Sequence, residues 1–382
     1  MKIAQVAPLY ESVPPRLYGG TERVVSFLTE ELVREGHDVT LFASGDSQTQ
    51  ARLIAGCPRA LRLDKDCIDT LAHHLVLLER VFKAAADFDV IHFHCDYLHF
   101  PWSRRHRCRR VTTLHGRLDI PDLQPIYREF AQEPVISISD SQRRPLAGAH
   151  WQGTVHHGLP DKFLRLYGQP GRYLAFLGRI SPEKRVDRAI EIAQRVGMPL
   201  KVAAKVDAAD RDYYRDQIEP LLRQHRARVE FVGEIGEQDK ADFLGNAYAL
   251  LFPIDWPEPF GLVMIEAMAC GTPVIAYRHG SVPEVVDDGV TGFVVESIEE
   301  AVQAVERAGA LSRTECRRTF ERRFSASRMA HDYLEIYRRL PGSDTADRRL
   351  NSAKTGVREL PVHNGKAPGT PGLRKLRTAA NG

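Results

Sequence analysis

Cysteine is scarce and shows no pairing pattern. Six are spread over 382 residues, at Cys57, Cys67, Cys95, Cys108, Cys270 and Cys316, and none form Cys-x-x-Cys. A disulfide framework and a finger-type zinc site are therefore not expected, and reduced thiols in a cytoplasmic protein are. Long apolar runs are also missing. Nothing approaches the roughly 18 consecutive apolar residues of a membrane span, and the amino terminus enters a strand pattern with no signal-peptide core or cleavage site. Charge of one sign is lacking too. Lys and Arg number 53 against 50 Asp and Glu, a net charge of +3, too small an excess to imply a nucleic-acid partner. With 43% hydrophobic and 27% charged residues, the composition is that of a globular protein long enough for two domains.

Short β-branched runs alternate with helical patterns, the signature of parallel sheets covered on both faces. Strands are expected at 2–7, 39–43, 90–93, 111–114 and 135–138, with a helix over 21–34 capped by Thr21. After a break near His157-Gly158-Leu159-Pro160 the pattern restarts. Strands are expected at 173–177, 200–204, 229–232, 249–253, 274–276 and 292–295, with a helix over 182–196. The expected fold class is α/β with two Rossmann-like doubly wound domains facing a cleft, one over 1–158 and one over 159–324. A last helix over 325–340 follows. Residues 341–382, rich in Gly, Pro, Arg and Lys, are expected to be a disordered, solvated basic tail.

The densest chemistry lies in Glu258-Pro-Phe-Gly-Leu-Val-Met-Ile-Glu266, which continues Ala-Met-Ala-Cys-Gly271-Thr-Pro-Val-Ile-Ala. Pro257 and Pro259 forbid helix before Phe260, and Gly271 with Pro273 ends it. The first N–H groups of such a helix carry the positive end of its dipole and suit an electron-rich ligand. Glu266 falls about one and a half turns further on, roughly 7 Å along the axis. Two carboxylates separated by a ring of amides read as a clamp for a sugar nucleotide.

The segment resembles the Glu-x7-Glu motif of the retaining family-4 glycosyltransferases, which have the GT-B fold. The resemblance implies that Glu266 holds the ribose of a nucleotide sugar, while Glu258 and the amides of Phe260, Gly261 and Leu262 hold the transferred sugar. In that family the last helix crosses back to the first domain, a role that 325–340 would fill.

Other candidates fall at strand ends, where open α/β sheets bind ligands. Gly19-Gly20 opens the first helix and suits a diphosphate. His115 follows the strand at 111–114 and resembles the family's active-site histidine. His94 and Asp96 end the neighbouring strand and are acceptor-side candidates. Gly178-Arg179…Lys184-Arg185 resembles the family's Gly-Arg…Lys-Gly signature, with Arg185 where glycine is common. Arg179 and Lys184 can offset the charge of a departing phosphate without a metal, and Arg185 could add a third cation. Gly233 and Ile235 would, by resemblance, receive the nucleobase. Gly280 to Glu284 and Asp288 to Phe293 would shape loops.

No metal site is expected. The cluster His92, His94, Cys95, His99 has no second ligand pair. Asp64-x-Asp66 and Asp87-x-Asp89 are too short to be specific, and Asp89 lies at the wrong end of its strand. No cofactor is expected beyond the donor substrate. The implied activity is hexose transfer to an acceptor hydroxyl. Pro-Pro-x-x-Tyr-Gly-Gly-Thr-Glu-Arg-Val-Val and Ile-His-Phe-His resemble a bacterial small-molecule glucosyltransferase subgroup, which points to UDP-glucose, with GDP-mannose as the other donor. A sugar-nucleotide epimerase and a non-catalytic nucleotide-sugar-binding protein stay open as alternatives. The basic run Arg104-Arg105-His-Arg107-Cys-Arg109-Arg110 leaves room for peripheral membrane contact, although a solvated face accounts for it.

Overall fold

The βα alternation folds as two parallel sheets in the computed structural model, which describes residues 1–16 and 19–341. The expected basic tail lies outside the described residues, apart from Pro341. The first sheet is built from β1 (Lys2–Val6), β2 (Asp38–Ser44), β3 (Arg52–Cys57), β4 (Val90–Phe93), β5 (Arg110–Thr113), β6 (Pro134–Ser137) and β7 (His150–Thr154), in the order β3-β2-β1-β4-β5-β6-β7. The second comprises β8 (Tyr173–Arg179), β9 (Leu200–Lys205), β10 (Val229–Gly233), β11 (Ala247–Phe252), β12 (Val274–Tyr277) and β13 (Gly292–Val295), in the order β10-β9-β8-β11-β12-β13. Each order reverses once, between β1 and β4 and between β8 and β11. Those reversals open the crevices where doubly wound sheets take ligands.

The helices that matter for the site are α1 (Gly20–Arg34), α2 (Thr70–Lys83), α3 (Asp140–Arg143), α4 (Val186–Val196), α5 (Glu237–Gly245), α6 (Leu262–Ala269) and α7 (Ala326–Arg339). One face of the first sheet packs Ile3, Val90 and Val111 against Val24 and Leu28 of α1 and Met329, Tyr333 and Tyr337 of α7. The opposite face packs Val6, Phe42 and Phe93 against Leu77 and Val81 of α2. Beside the second sheet, α6 is apolar apart from Glu266. Its Met264, Ile265 and Met268 are fully buried with Leu250, Phe252, Phe320 and Phe324, as expected of a helix enclosed by a core.

The chain passes between the halves twice, and the two passages are strapped together. Leu159 N–H donates to Phe324 O at 2.9 Å, and Ala326 N–H donates to Leu159 O at 2.8 Å. A Cβ on Gly158 would lie 2.3 Å from Ser325 O, so only glycine allows this approach.

Several elements differ from the sequence reading. Helix α1 starts at Gly20 with Gly19 as its cap residue, and Thr21 makes no capping bond. The helix expected over 182–196 is broken. A 3₁₀ turn spans Pro182–Lys184, Arg185 adopts a left-handed conformation (φ 54°, ψ 50°), and α4 begins at Val186. A glycine at that position would meet the turn without strain. Strands β3 and β7 and helix α2 were not anticipated. Both strands lie at a sheet edge and carry a glycine, Gly56 and Gly153, so neither shows a clean alternation.

Candidate functional site

The loop from β11 to α6 is fixed by its apolar member. Phe260 is buried against His157 and Phe324, with ring centroids 4.8 Å and 6.2 Å away. Gly261 then turns with φ 79°, and a Cβ there would lie 2.9 Å from Met264 Cε. The loop is braced from behind. Ser281 Oγ donates to Phe260 O at 2.7 Å, and Ser281 N–H to Glu258 O at 3.0 Å. A Cβ on Gly280 would lie 2.3 Å from Glu258 O. Gly280 and Ser281, expected only to shape a loop, thus set the height of Glu258.

The Glu258 carboxylate accepts from Lys184 Nζ and, at 3.0 Å, from Trp256 Nε1. The Lys184 ammonium also sits 5.0 Å from the Trp256 ring centre, a cation–π contact. Arg179, at the carboxyl end of β8, faces Glu183 at 3.4 Å and Asp207 at 3.5 Å, and Asp207 in turn pairs with Lys205 at 2.9 Å. Arg179, Lys184 and the Glu258 carboxylate thus lie at the switch point of the second sheet. Arg185 does not join them. Its guanidinium is held by Asp187 and Asp255, each at 2.8 Å.

Glu266 is 3% exposed and bonds Lys240 at 2.8 Å. Lys240 bridges to Glu237 at 2.8 Å, and Glu237 reaches Arg23 of α1 at 2.9 Å. Burial works against the Lys240 charge, but Glu266 and Glu237 outweigh it and raise its pKa above the ordinary lysine value. This row of four charges joins the second half to the first turns of α1. Close by, a Cβ on Gly20 would lie 3.8 Å from Leu262 Cδ1, so the amino ends of α1 and α6 approach each other. Gly233 turns with φ 84° beside open space, and Ile235 packs against the core that holds α6.

On the first half, His94 and His115 are brought together, with His94 Nδ1 2.9 Å from His115 Nε2. The His115 ring stacks on His157 at 5.3 Å, and His157 touches Phe260. A continuous layer of rings therefore runs from the end of β4 to the loop between β11 and α6. Burial holds His94 well below the usual histidine pKa and His115 at about 3, so both are neutral. Asp96 follows with a left-handed φ of 50°, and burial pushes its pKa up to about 6.

The other histidines of the cluster are core residues. His92 bonds Tyr337 and Thr113, each at 2.7 Å, and His99 bonds Ser103 and Thr112. Asp89 accepts from the Lys2 amide at 2.7 Å, and Asp64 pairs with Arg59. In the basic run, Arg104 pairs with Glu129 and Arg110 with Glu133. The sequence reading missed Lys240, Glu237, Arg23 and Trp256. Lys240 carried no local signal. Trp256 stood beside the motif, where an aromatic next to a carboxylate could have been noticed.

Two doubly wound sheets, with paired carboxylates and cations at the switch point of the second, buried histidines at that of the first and a helix amino end between them, define the class of GT-B enzymes that act on nucleotide sugars. Comparison with known proteins agrees. The family described as Glycosyltransferase Family 4 matches residues 18–150, and that described as Glycosyl transferases group 1 matches 167–322. The chain is 26% identical over 345 residues to an uncharacterized glycosyltransferase of Methanocaldococcus jannaschii, covering 77% of this chain and 85% of the relative. It is 31% identical over 189 residues to alpha-maltose-1-phosphate synthase of Mycolicibacterium smegmatis, covering 44% of this chain and 48% of that relative, about half its length. Among solved structures, AviGT4, a glycosyltransferase involved in avilamycin A biosynthesis, superposes with a TM-score of 0.69 at 26% identity, over 89% of this chain and 97% of that one. The Anabaena protein HepE in complex with UDP superposes with a TM-score of 0.71 at 18% identity, over 89% of this chain and all of that one, a likeness of fold. The chain belongs to the group 1, family-4 glycosyltransferases, which are retaining enzymes that use nucleotide sugars. Among the described residues no helix is long and apolar enough to cross a membrane.

Proposed function

We propose that this chain transfers glucose from UDP-glucose to the hydroxyl of an acceptor held by the first half, with retention and without a metal. The observation that carries this reading is the geometry around α6. Its amino end lies between the Lys184–Glu258 pair and the buried Glu266, and opposite Gly20 of the first half. Arg179 and Lys184 meet the diphosphate, and their charge offsets the negative charge that grows on it as the glycosidic bond breaks. Glu266 accepts the ribose hydroxyls. Glu258 and the amides of Phe260, Gly261 and Leu262 hold the sugar, with His115 closing the opposite side. Gly19 and Gly20 let backbone approach the phosphates, and Gly233 with Ile235 borders the base. Asp96 faces the acceptor, while His94, expected there too, is buried with both ring nitrogens bonded, to His115 and Gln5, and supports His115 instead. The acceptor hydroxyl attacks from the face the diphosphate leaves, and the leaving phosphate takes its proton.

The choice of glucose rests on the resemblance of the first-half motifs to small-molecule glucosyltransferases. Calorimetric titration with UDP, GDP, UDP-glucose and GDP-mannose in EDTA tests it, with Glu266→Ala alongside. Metal-free binding of the uridine ligands, lost in the variant, is expected. Binding of the guanosine ligands instead would replace the donor, and binding of none by folded protein would end the reading.

A further inference from the structure

The histidine facing the proposed sugar is the end of a buried hydrogen-bond chain that starts on the last helix. Gln5, on β1, is fully buried. Its Nε2 donates to Tyr337 Oη of α7 at 3.2 Å, and its Oε1 lies 2.8 Å from His94 Nε2. Tyr337 Oη also lies 2.7 Å from His92 Nδ1, and His92 Nε2 lies 2.7 Å from Thr113 Oγ1. Each group here has a fixed number of protons to give, so the polarity of one bond sets the next.

A carbonyl oxygen only accepts. With Gln5 Oε1 against it, His94 carries its proton on Nε2 and offers a lone pair at Nδ1. His115 Nε2 must then donate to that lone pair, 2.9 Å away. The remaining nitrogen, His115 Nδ1, is left as a bare acceptor. It is buried and has no partner among the described residues. If the Gln5 amide turned over, every bond would reverse. The His94 proton would reside on Nδ1, and His115 would present N–H instead of a lone pair. Charge is the same in both states, so only the anchoring of Gln5 separates them. That anchor is Tyr337, whose hydroxyl accepts from Gln5 and donates to His92 Nδ1, with His92 Nε2–H donating onward to Thr113, whose own hydroxyl is committed as donor to Tyr333 Oη at 3.1 Å.

We infer that Gln5, His94 and Tyr337 are positioning residues that hold His115 in the Nε2–H tautomer, so that its Nδ1 accepts a hydroxyl hydrogen from the transferred sugar. The catalytic role of His115 rests on the function proposed above, but its tautomer does not. Burial, which keeps both histidines neutral, is consistent with the chain. The device spans both ends of the sequence, since Gln5 and Tyr337 are 332 positions apart.

Long-range nitrogen–proton spectra of histidine-labelled, ligand-free full-length protein read the tautomer directly. Wild-type protein is expected to show His115 with a proton on Nε2 and none on Nδ1. Tyr337→Phe and Gln5→Met are expected to mix the two tautomers and to lower kcat/KM roughly five- to tenfold, the worth of one neutral hydrogen bond. Tyr127→Phe is the control. Tyr127 is also buried, but it packs in a separate cluster with Phe100 and Leu118, and its loss is expected to leave the His115 tautomer as in wild type. A proton on Nδ1 in the wild type would overturn the inference, as would a tautomer unmoved in both variants. Mixed tautomers with unchanged kcat/KM would remove the positioning role. Failure of the protein to bind any nucleotide sugar would remove the proposed function while leaving the tautomer assignment standing.

Discussion

At the scale of single residues, Glu266 gives the sharpest expectation. A charge-assisted bond to ribose is worth about 1.5–3 kcal/mol, so Glu266→Ala should weaken donor binding roughly ten- to a hundredfold by calorimetry. Arg179→Ala should lower kcat by more than it raises KM in steady-state assays, because its charge matters most as the phosphate departs. Arg185 should behave differently from both. Its left-handed backbone carries about 1–2 kcal/mol of strain that glycine would relieve, and the ion pairs it would lose are partly exposed and weak. Arg185→Gly is expected to hold or raise the denaturant midpoint and to leave kcat/KM within about twofold. Glu22, in the first turn of α1, is 5% exposed, and burial raises its pKa to about 7. The folded state therefore binds a proton that the unfolded chain releases near pH 4.5, and stability falls as pH rises between those values. Glu22→Gln should remove that loss. In urea melts it should gain on the order of 2–3 kcal/mol at pH 8 relative to pH 4.

At the scale of elements, what could be read from sequence was local. The α6 motif was legible because Pro257, Pro259, Gly261 and Gly271 bracket it within a few residues, and the restart after Gly158 was legible because the βα period repeats. The partners of those motifs were not. Lys240 lies 26 positions from Glu266 and Glu284 lies 144 from Asp140, and only the packed sheets bring them together. Strand β7 was hidden because its His-Trp-Gln-Gly-Thr lacks a β-branched run, and the break at Arg185 because nothing in an arginine announces a left-handed turn. Glu284 shows what such distant pairing does. Its two carboxylate oxygens accept from the Asp140 and Ser141 amides, each at 2.7 Å, capping α3 from the other half of the molecule. Loss of such a cap costs about 1 kcal/mol.

At the scale of the whole molecule, α7 is the element on which both halves depend. It follows the second sheet in sequence yet buries Met329, Tyr333 and Tyr337 in the core of the first. Met329→Ala should cost about 2–5 kcal/mol in equilibrium unfolding. A chain ending at residue 325 should show protease-sensitive bonds within residues 1–158 while the second sheet stays protected. The order of synthesis then acquires a meaning. The first sheet leaves the ribosome early, with the seat of α7 uncovered, and roughly 170 further residues must be made before α7 arrives. At about 5–20 residues per second that interval lasts roughly 10–35 s. Through it, the nascent amino-terminal half presents a sticky apolar groove to whatever is nearby. The burden on chaperones therefore falls on the half that is made first, and it is the arrival of α7 that releases it.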